Sequence, residues 1–202
     1  MREDARKKGY HHGNLAQSLL DAVDEIAGQF GLEAVTLRGC AKLIGVSPSS
    51  AFRHYADKRA LMTAFAARAL NELSDKMADA ADRARLQGSN PFRAVGLAYV
   101  EFALDKPAFF QAMWHQETIY ASDPEYAEAA TKMGRHLRGG FANTLDDSDD
   151  KNFSSRELLA WSAVHGLASL FVDGPVAKGK SKAEKMETAA QMLVALDPAL
   201  ST

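Results

Sequence analysis

The sequence predicts an all-α protein: an N-terminal three-helix domain over residues 1–56 and a larger helical domain over 57–202, with about nine helices in all. Three observations carry that expectation. Apolar residues recur at helical spacing along most of the chain, no segment makes a credible strand, and the apolar stripes are bounded by glycine, proline or capping residues. With 202 residues, 47% of them hydrophobic and 25% charged, the chain is long enough for one large core or two small ones.

From Asn14 to Phe30 the residues Leu15, Leu19, Ala22, Val23, Ile26 and Phe30 trace one helical face, and Gly31 ends it. Thr36 to Lys58 then reads as two short helices with a tight turn. Thr36 suits an N-cap, and Leu37, Ala41 and Ile44 share an inward face. Gly45 stands where the chain needs a left-handed residue. Ser47 can cap the next helix and Pro48 suits its first position. That helix would expose Pro48, Ser49, Ser50, Arg53 and His54 and turn Ala51 and Tyr55 inward. Two short helices around a glycine-containing turn are a helix-turn-helix pattern, though a generic helical hairpin has the same periodicity.

Asp57 caps a long fourth helix striped by Leu61, Phe65, Ala69, Leu73, Met77, Ala80 and Ala84, which would span about 40 Å. Gln87 to Pro91 stops it and starts another, marked by Phe92, Val95, Tyr99 and Phe102. Pro107 opens a short helix carrying Phe109, Phe110, Met113 and Trp114. Asp123-Pro124 starts a longer one with Tyr126, Ala130, Met133, Leu137, Phe141 and Leu145 inward. Asp146 to Asn152 reads as an acidic, solvated loop. Ser154 with Glu157 and Ser181 with Glu184 have capping-box spacing and open the last two helices.

Composition narrows the function. No apolar run approaches the roughly 20 residues of a membrane span, and MREDARKKGYHH is not a signal peptide. Cys40 is the single cysteine, so no internal disulfide framework exists, and a reducing cytoplasm is expected. The net charge of −2 conceals an asymmetry, because residues 1–60 carry nine Lys/Arg against seven Asp/Glu. Arg2, Arg6, Lys7 and Lys8 beside His11 and His12 form a basic arm suited to phosphate. None of His11, His12, His54, His115, His136 and His165 has a metal-ligand spacing, so no metal or cofactor is expected. Nucleophile elbow, P-loop and dinucleotide fingerprint are all missing, which leaves a helical enzyme or a protein adaptor as alternatives without positive support.

Over residues 10–65 the chain resembles the TetR family of transcriptional regulators. The resemblance rests on Tyr10-His11-His12-Gly13, Val35-Thr36-Leu37-Arg38, Gly45-Val46-Ser47, and Phe52-Arg53-His54-Tyr55 followed by Asp57-Lys58-Arg59-Ala60-Leu61. Trp161, His165 and Gly166 further resemble the Trp-His-Gly signature of one subgroup's C-terminal domain. The resemblance implies a homodimer on a palindromic DNA operator, usually a repressor released by a small molecule. Arg38 would then reach a base edge or phosphate, with Pro48, Ser49 and Ser50 at the groove floor and Ser47 also among the DNA-binding residues. Arg53 and His54 would lie along the groove wall, Lys58 would grip phosphate, and Arg6, Lys7 and Lys8 would follow the backbone. Phe52 departs from a frequent tyrosine, so a phenolic bond to phosphate is lost while van der Waals contact remains.

In the C-terminal domain, Phe102, Phe109, Phe110, Met113, Trp114, Met133, Leu137 and Phe141, with Trp161 and His165, either line a partly apolar effector pocket or form plain core. His165 is either a ligand contact or a hydrogen-bonded core histidine. Ser162, Gly166, Ser169, Met186, Ala190 and Leu193 are the expected dimer contacts, within a four-helix bundle made by the last two helices of each copy. The glycine in mid-helix suggests close approach by the partner's helix.

Overall fold

The computed structural model describes residues 15–139 and 153–201. Among the described residues there are nine α-helices and no strand: α1 (Leu15–Phe30), α2 (Leu37–Leu43), α3 (Pro48–His54), α4 (Lys58–Leu86), α5 (Pro91–Asp105), α6 (Pro107–Trp114), α7 (Pro124–Gly139), α8 (Ser155–Val172) and α9 (Lys182–Ser201). Short 3-10 turns lie at Leu32–Ala34, Gln116–Thr118 and Pro175–Ala177. The chain divides into two compact units, Met1–Leu61 and Met62–Thr202. The division therefore falls inside the first turn of α4, a few residues later than the sequence pattern suggests.

The first unit is α1, α2 and α3 packed on one another. Leu19, Ala22, Val23, Leu37, Cys40, Ala41 and Ala51 are buried among them. Burial of full aliphatic side chains stabilises by about 1.5–3 kcal/mol each, which short helices cannot obtain from their backbone alone. Phe30 departs from the expected stripe and is 71% exposed. It is the last residue of α1, and Gly31, at φ 83°, turns the chain away before anything packs over the ring. Burial pushes the Cys40 thiol up to about 11, so it behaves as a small apolar residue rather than a nucleophile.

In the second unit α5 packs against α6, α8 and α9, and α8 also meets α7 and α9. The expected stripe of α4 is buried from Phe65 to Ala84, and Phe65 stacks on Phe109 with ring centroids 4.3 Å apart. Gly96 permits the α5–α9 contact: a Cβ there would lie 2.6 Å from Leu193 Cδ2. Both expected capping boxes form. Ser154 N donates to Glu157 Oε2 at 2.7 Å and Glu157 N to Ser154 Oγ at 3.3 Å; Ser181 and Glu184 repeat the pattern at 2.7 and 3.3 Å. Burial works to raise the Glu72 carboxyl, but hydrogen bonds from Lys106 and Arg68 outweigh it and hold it below the usual range. No helix among the described residues is long and apolar enough to cross a membrane.

Candidate nucleic-acid interface and ligand cavity

Local bonds set the turn between α2 and α3. Thr36 Oγ1 accepts from Gly39 N at 2.9 Å, which starts α2. Gly45, at φ 75°, adopts the left-handed conformation that lets Val46 N return to Ala41 O at 2.9 Å and close the helix. Ser47 Oγ accepts from Ser50 N at 3.2 Å, and Pro48 follows at the first helical position. With Ala51 fully buried, the register of α3 is settled, and Pro48, Ser49, Phe52, Arg53 and His54 stand exposed, Ser50 partly so.

These outward side chains are bonded to one another. Ser47 Oγ lies 2.9 Å from Ser49 Oγ and 2.8 Å from Ser50 Oγ, and Arg53 Nη2 donates to Ser50 Oγ at 3.0 Å. The guanidinium is thus anchored by one of its five N–H groups, and the fork keeps donors for another partner. Arg38 is exposed and shares a cleft of about 260 Å³ with Thr36, Leu37, Phe52, Asp57 and Lys58. Lys58 has a second commitment that its position in the motif did not reveal. Its Nζ donates to the carbonyls of Leu32 at 3.3 Å and Glu33 at 3.1 Å, so it clips the 3-10 turn as well as lining the cleft. Arg6, Lys7 and Lys8 lie outside the described residues.

Among the described residues of the second unit, two cavities meet at a cluster of rings. One, of about 40 Å³, is lined by Met77, Phe92, Val95, Gly96, Tyr99, His136, Leu137, Ala160, Trp161 and Val164. It has room for a few waters. The other, of about 160 Å³, is lined by Phe110, Gln111, Trp114, His115, His165, Ser169 and Asp173. Between them Tyr99 Oη and His165 Nδ1 are hydrogen-bonded at 3.0 Å. Trp114 lies over His165 at 4.8 Å between centroids and against Trp161 at 5.6 Å. Burial lowers the His165 pKa, so the imidazole is neutral at pH 7, and burial raises the Tyr99 hydroxyl, so it stays protonated. Both indole N–H groups are buried without a hydrogen-bond partner. Such an orphan donor costs about 1–3 kcal/mol.

Of the pocket residues expected from sequence, Leu137 and Trp161 line the first cavity and Phe110, Trp114 and His165 the second. Phe102, Phe109, Met113 and Met133 are buried and line neither of these two cavities. Phe141 lies outside the described residues. Met77, Phe92, Val95, Gly96, Tyr99, His136, Ala160 and Val164 were missed. A polar Tyr99 and a small Gly96 within an apolar stripe were the available signals.

On the last two helices, Ser162 is exposed and Gly166, Ser169, Met186 and Ala190 are partly so. Leu193 is a correction: it is fully buried against Gly96 and offers no surface to a second copy. Leu159 and Leu170 are exposed on the same α8 stripe as Ser162 and Gly166, and Val194 is exposed on α9. Among the described residues no three His, Cys, Asp or Glu side chains gather as a metal would need.

Comparison with known proteins agrees with this geometry. Residues 92–196 match the family described as "Tetracyclin repressor-like, C-terminal domain", and residues 19–65 match "Bacterial regulatory proteins, tetR family". The chain is 32% identical over 100 residues to an uncharacterized HTH-type transcriptional regulator, YobS, of Bacillus subtilis, the match covering 50% of this chain and 51% of that protein. It thus spans about half the length of that curated relative. The fold is similar to a Rhodococcus sp. RHA1 protein of unknown function (24% identity, TM-score 0.70, covering 93% of this chain and 97% of that one). It is also similar to a TetR family transcription regulator from Marinobacter aquaeolei VT8 (19% identity, TM-score 0.60, covering 90% and 94%). Taken with the helix-turn-helix built by α2 and α3, these matches place the chain in the TetR family of DNA-binding transcriptional regulators.

Proposed function

We propose that the chain is a homodimeric repressor that holds a palindromic operator through α3 and is released when a small molecule occupies the second unit. The observation that carries this reading is the polarity of α3: Ala51 is fully buried, while Pro48, Ser49, Phe52, Arg53 and His54 are exposed together. In that reading Arg53 and Arg38 supply forks for guanine or phosphate, Pro48 and Ser50 touch thymine methyls, and Lys58 meets phosphate at the start of α4. The first unit reads DNA and the second dimerises. The stripe of exposed Leu159, Ser162 and Leu170 with partly exposed Gly166 is the surface for a second copy, and a Cβ at Gly166 would meet nothing within 4 Å in the single chain. Two recognition helices related by a two-fold axis require half-sites about 34–36 Å apart or a multiple of that. A ligand would act on DNA through α4 and can shift the equilibrium only by its differential affinity for the two arrangements. Such a regulator works in the cytoplasm.

Selection of bound sequences from a random DNA library, with sedimentation of the free protein, tests the reading. A palindromic consensus and a dimeric particle are the expected results. A monomer that enriches no sequence overturns it.

A further inference from the structure

Resting on the reading of the second unit as the effector domain, the ring cluster says what kind of effector it takes. The only two tryptophans of the chain, Trp114 and Trp161, stand side by side with buried indole N–H groups that complete no hydrogen bond among the described residues, although both act on the Tyr99 hydroxyl. Indole nitrogen only donates, so the site holds two donors around one hydroxyl that neither meets in hydrogen-bond geometry. That hydroxyl is Tyr99's: it is engaged with His165, and the two indoles work against the effect of burial on its pKa without completing a hydrogen bond to it.

Charge narrows the choice. Among the described residues no lysine or arginine lines either cavity. The acidic side chain there is Asp173, at the second cavity, where it accepts from Gln111 Nε2 at 2.6 Å. An anion would enter without a counter-charge and against Asp173. A cation would gain from the rings and from Asp173, yet it would leave both indole donors unsatisfied and place its charge beside their positive ends. The surrounding rings of Phe92, Tyr99, Phe110 and Phe153 favour a flat apolar body.

We propose that the effector is a neutral, planar aromatic molecule bearing a carbonyl-type oxygen, seated at the ring cluster with that oxygen accepting from the indoles of Trp114 and Trp161. At about 40 Å³ the first cavity is too small for a ring system, so binding parts the rings where it meets the second, of about 160 Å³.

Four naphthalenes of one shape test this on the full chain by calorimetry, with tryptophan fluorescence as a direct report from both indoles: 2-acetylnaphthalene, 2-ethylnaphthalene, 2-naphthoate and 2-naphthyltrimethylammonium. The ketone should bind about tenfold more tightly than the ethyl compound, as two recovered hydrogen bonds imply, and more tightly than either ion. Trp114→Phe and Trp161→Phe should each shrink the ketone's advantage and leave the ethyl compound's affinity nearly unchanged. Equal affinities for ketone and hydrocarbon, preference for either ion, or no binding by any of the four overturns the proposal, whether or not the variants fold. Release of a selected operator is measured separately. A ketone that binds with the expected preference but leaves DNA bound sinks the release mechanism and keeps the site. Release by a compound that ignores the indoles does the reverse.

Discussion

The two units build their functional surfaces in opposite ways. In the first, the outward side chains of α3 satisfy one another across two or three residues: Ser47 with Ser49 and Ser50, and Ser50 with Arg53. In the second, the central bond joins Tyr99 of α5 to His165 of α8, 66 residues apart, and the neighbouring indole N–H groups complete no hydrogen bond among the described residues. A surface meant for a polar polymer can be prepared locally, with water completing its hydrogen bonds. An interior meant for a small molecule must be assembled from several helices, and its donors depend on partners brought from distant parts of the chain.

The largest expected effect tests the interior. Gly96→Leu drives new atoms into Leu193 and should destabilise the second unit by about 1–3 kcal/mol, seen as an earlier urea midpoint. An unchanged midpoint would mean that α5 and α9 are loosely packed. Next is the surface: Arg53→Ala should leave stability within about 0.5 kcal/mol of the parent and remove about 1–3 kcal/mol of discrimination between operator and scrambled duplex. Equal losses on both duplexes would reassign Arg53 to the phosphate backbone. Gly45→Ala probes the backbone beneath that surface, and at φ 75° it should cost about 1–2 kcal/mol of first-unit stability.

Lys58→Ala sharpens the contrast, because that ammonium belongs to both surface and scaffold. Loss of its bonds to Leu32 and Glu33 should cost about 1 kcal/mol, and binding to every duplex should weaken, with the salt slope falling by about one. Full stability with weakened binding would show that the clip contributes nothing. The smallest effect is acid sensitivity of the interior. Burial holds His165 below its ordinary 6.5, so below that pH the unfolded chain takes up a proton that the folded chain refuses. Stability is therefore complete above 6.5 and declines as pH falls toward the folded value, before Glu72 and Glu101 add their own loss below about 4.5. His165→Gln should flatten the urea midpoint between pH 7.5 and 5.5; an unaltered profile would shift the effect to His136, whose pKa is also lowered by burial.

What could be read from the chain follows the same division. Thr36, Gly45, Ser47, Ala51 and Asp57 declare their roles because each acts within a few residues of itself, and the structure gives each the place its chemistry suggests. Ser154 and Ser181 behave likewise. Phe102, Phe109, Met113 and Met133 show where local spacing stops: it marks them as inward but does not say whether inward means packed core or cavity wall. That distinction depends on how α5 meets α8 and α9, and so it separates Leu137, which lines a cavity, from Met133 one turn earlier. Leu193 was misplaced for the same reason, its burial depending on Gly96 in a helix nearly a hundred residues away. The double duty of Lys58 is also a through-space fact.

The hydroxyl relay that reaches Arg53 has an evolutionary corollary. Because Ser50 holds the guanidinium directly and is itself bonded to Ser47, which also meets Ser49, replacing Ser50 removes the anchor of Arg53 without altering Arg53 itself, and replacing Ser49 acts on it at one remove. On the operator-reading model, target preference can therefore drift by single codon changes at Ser49 or Ser50, while the Ser47 cap and the buried Ala51 keep the helix seated throughout.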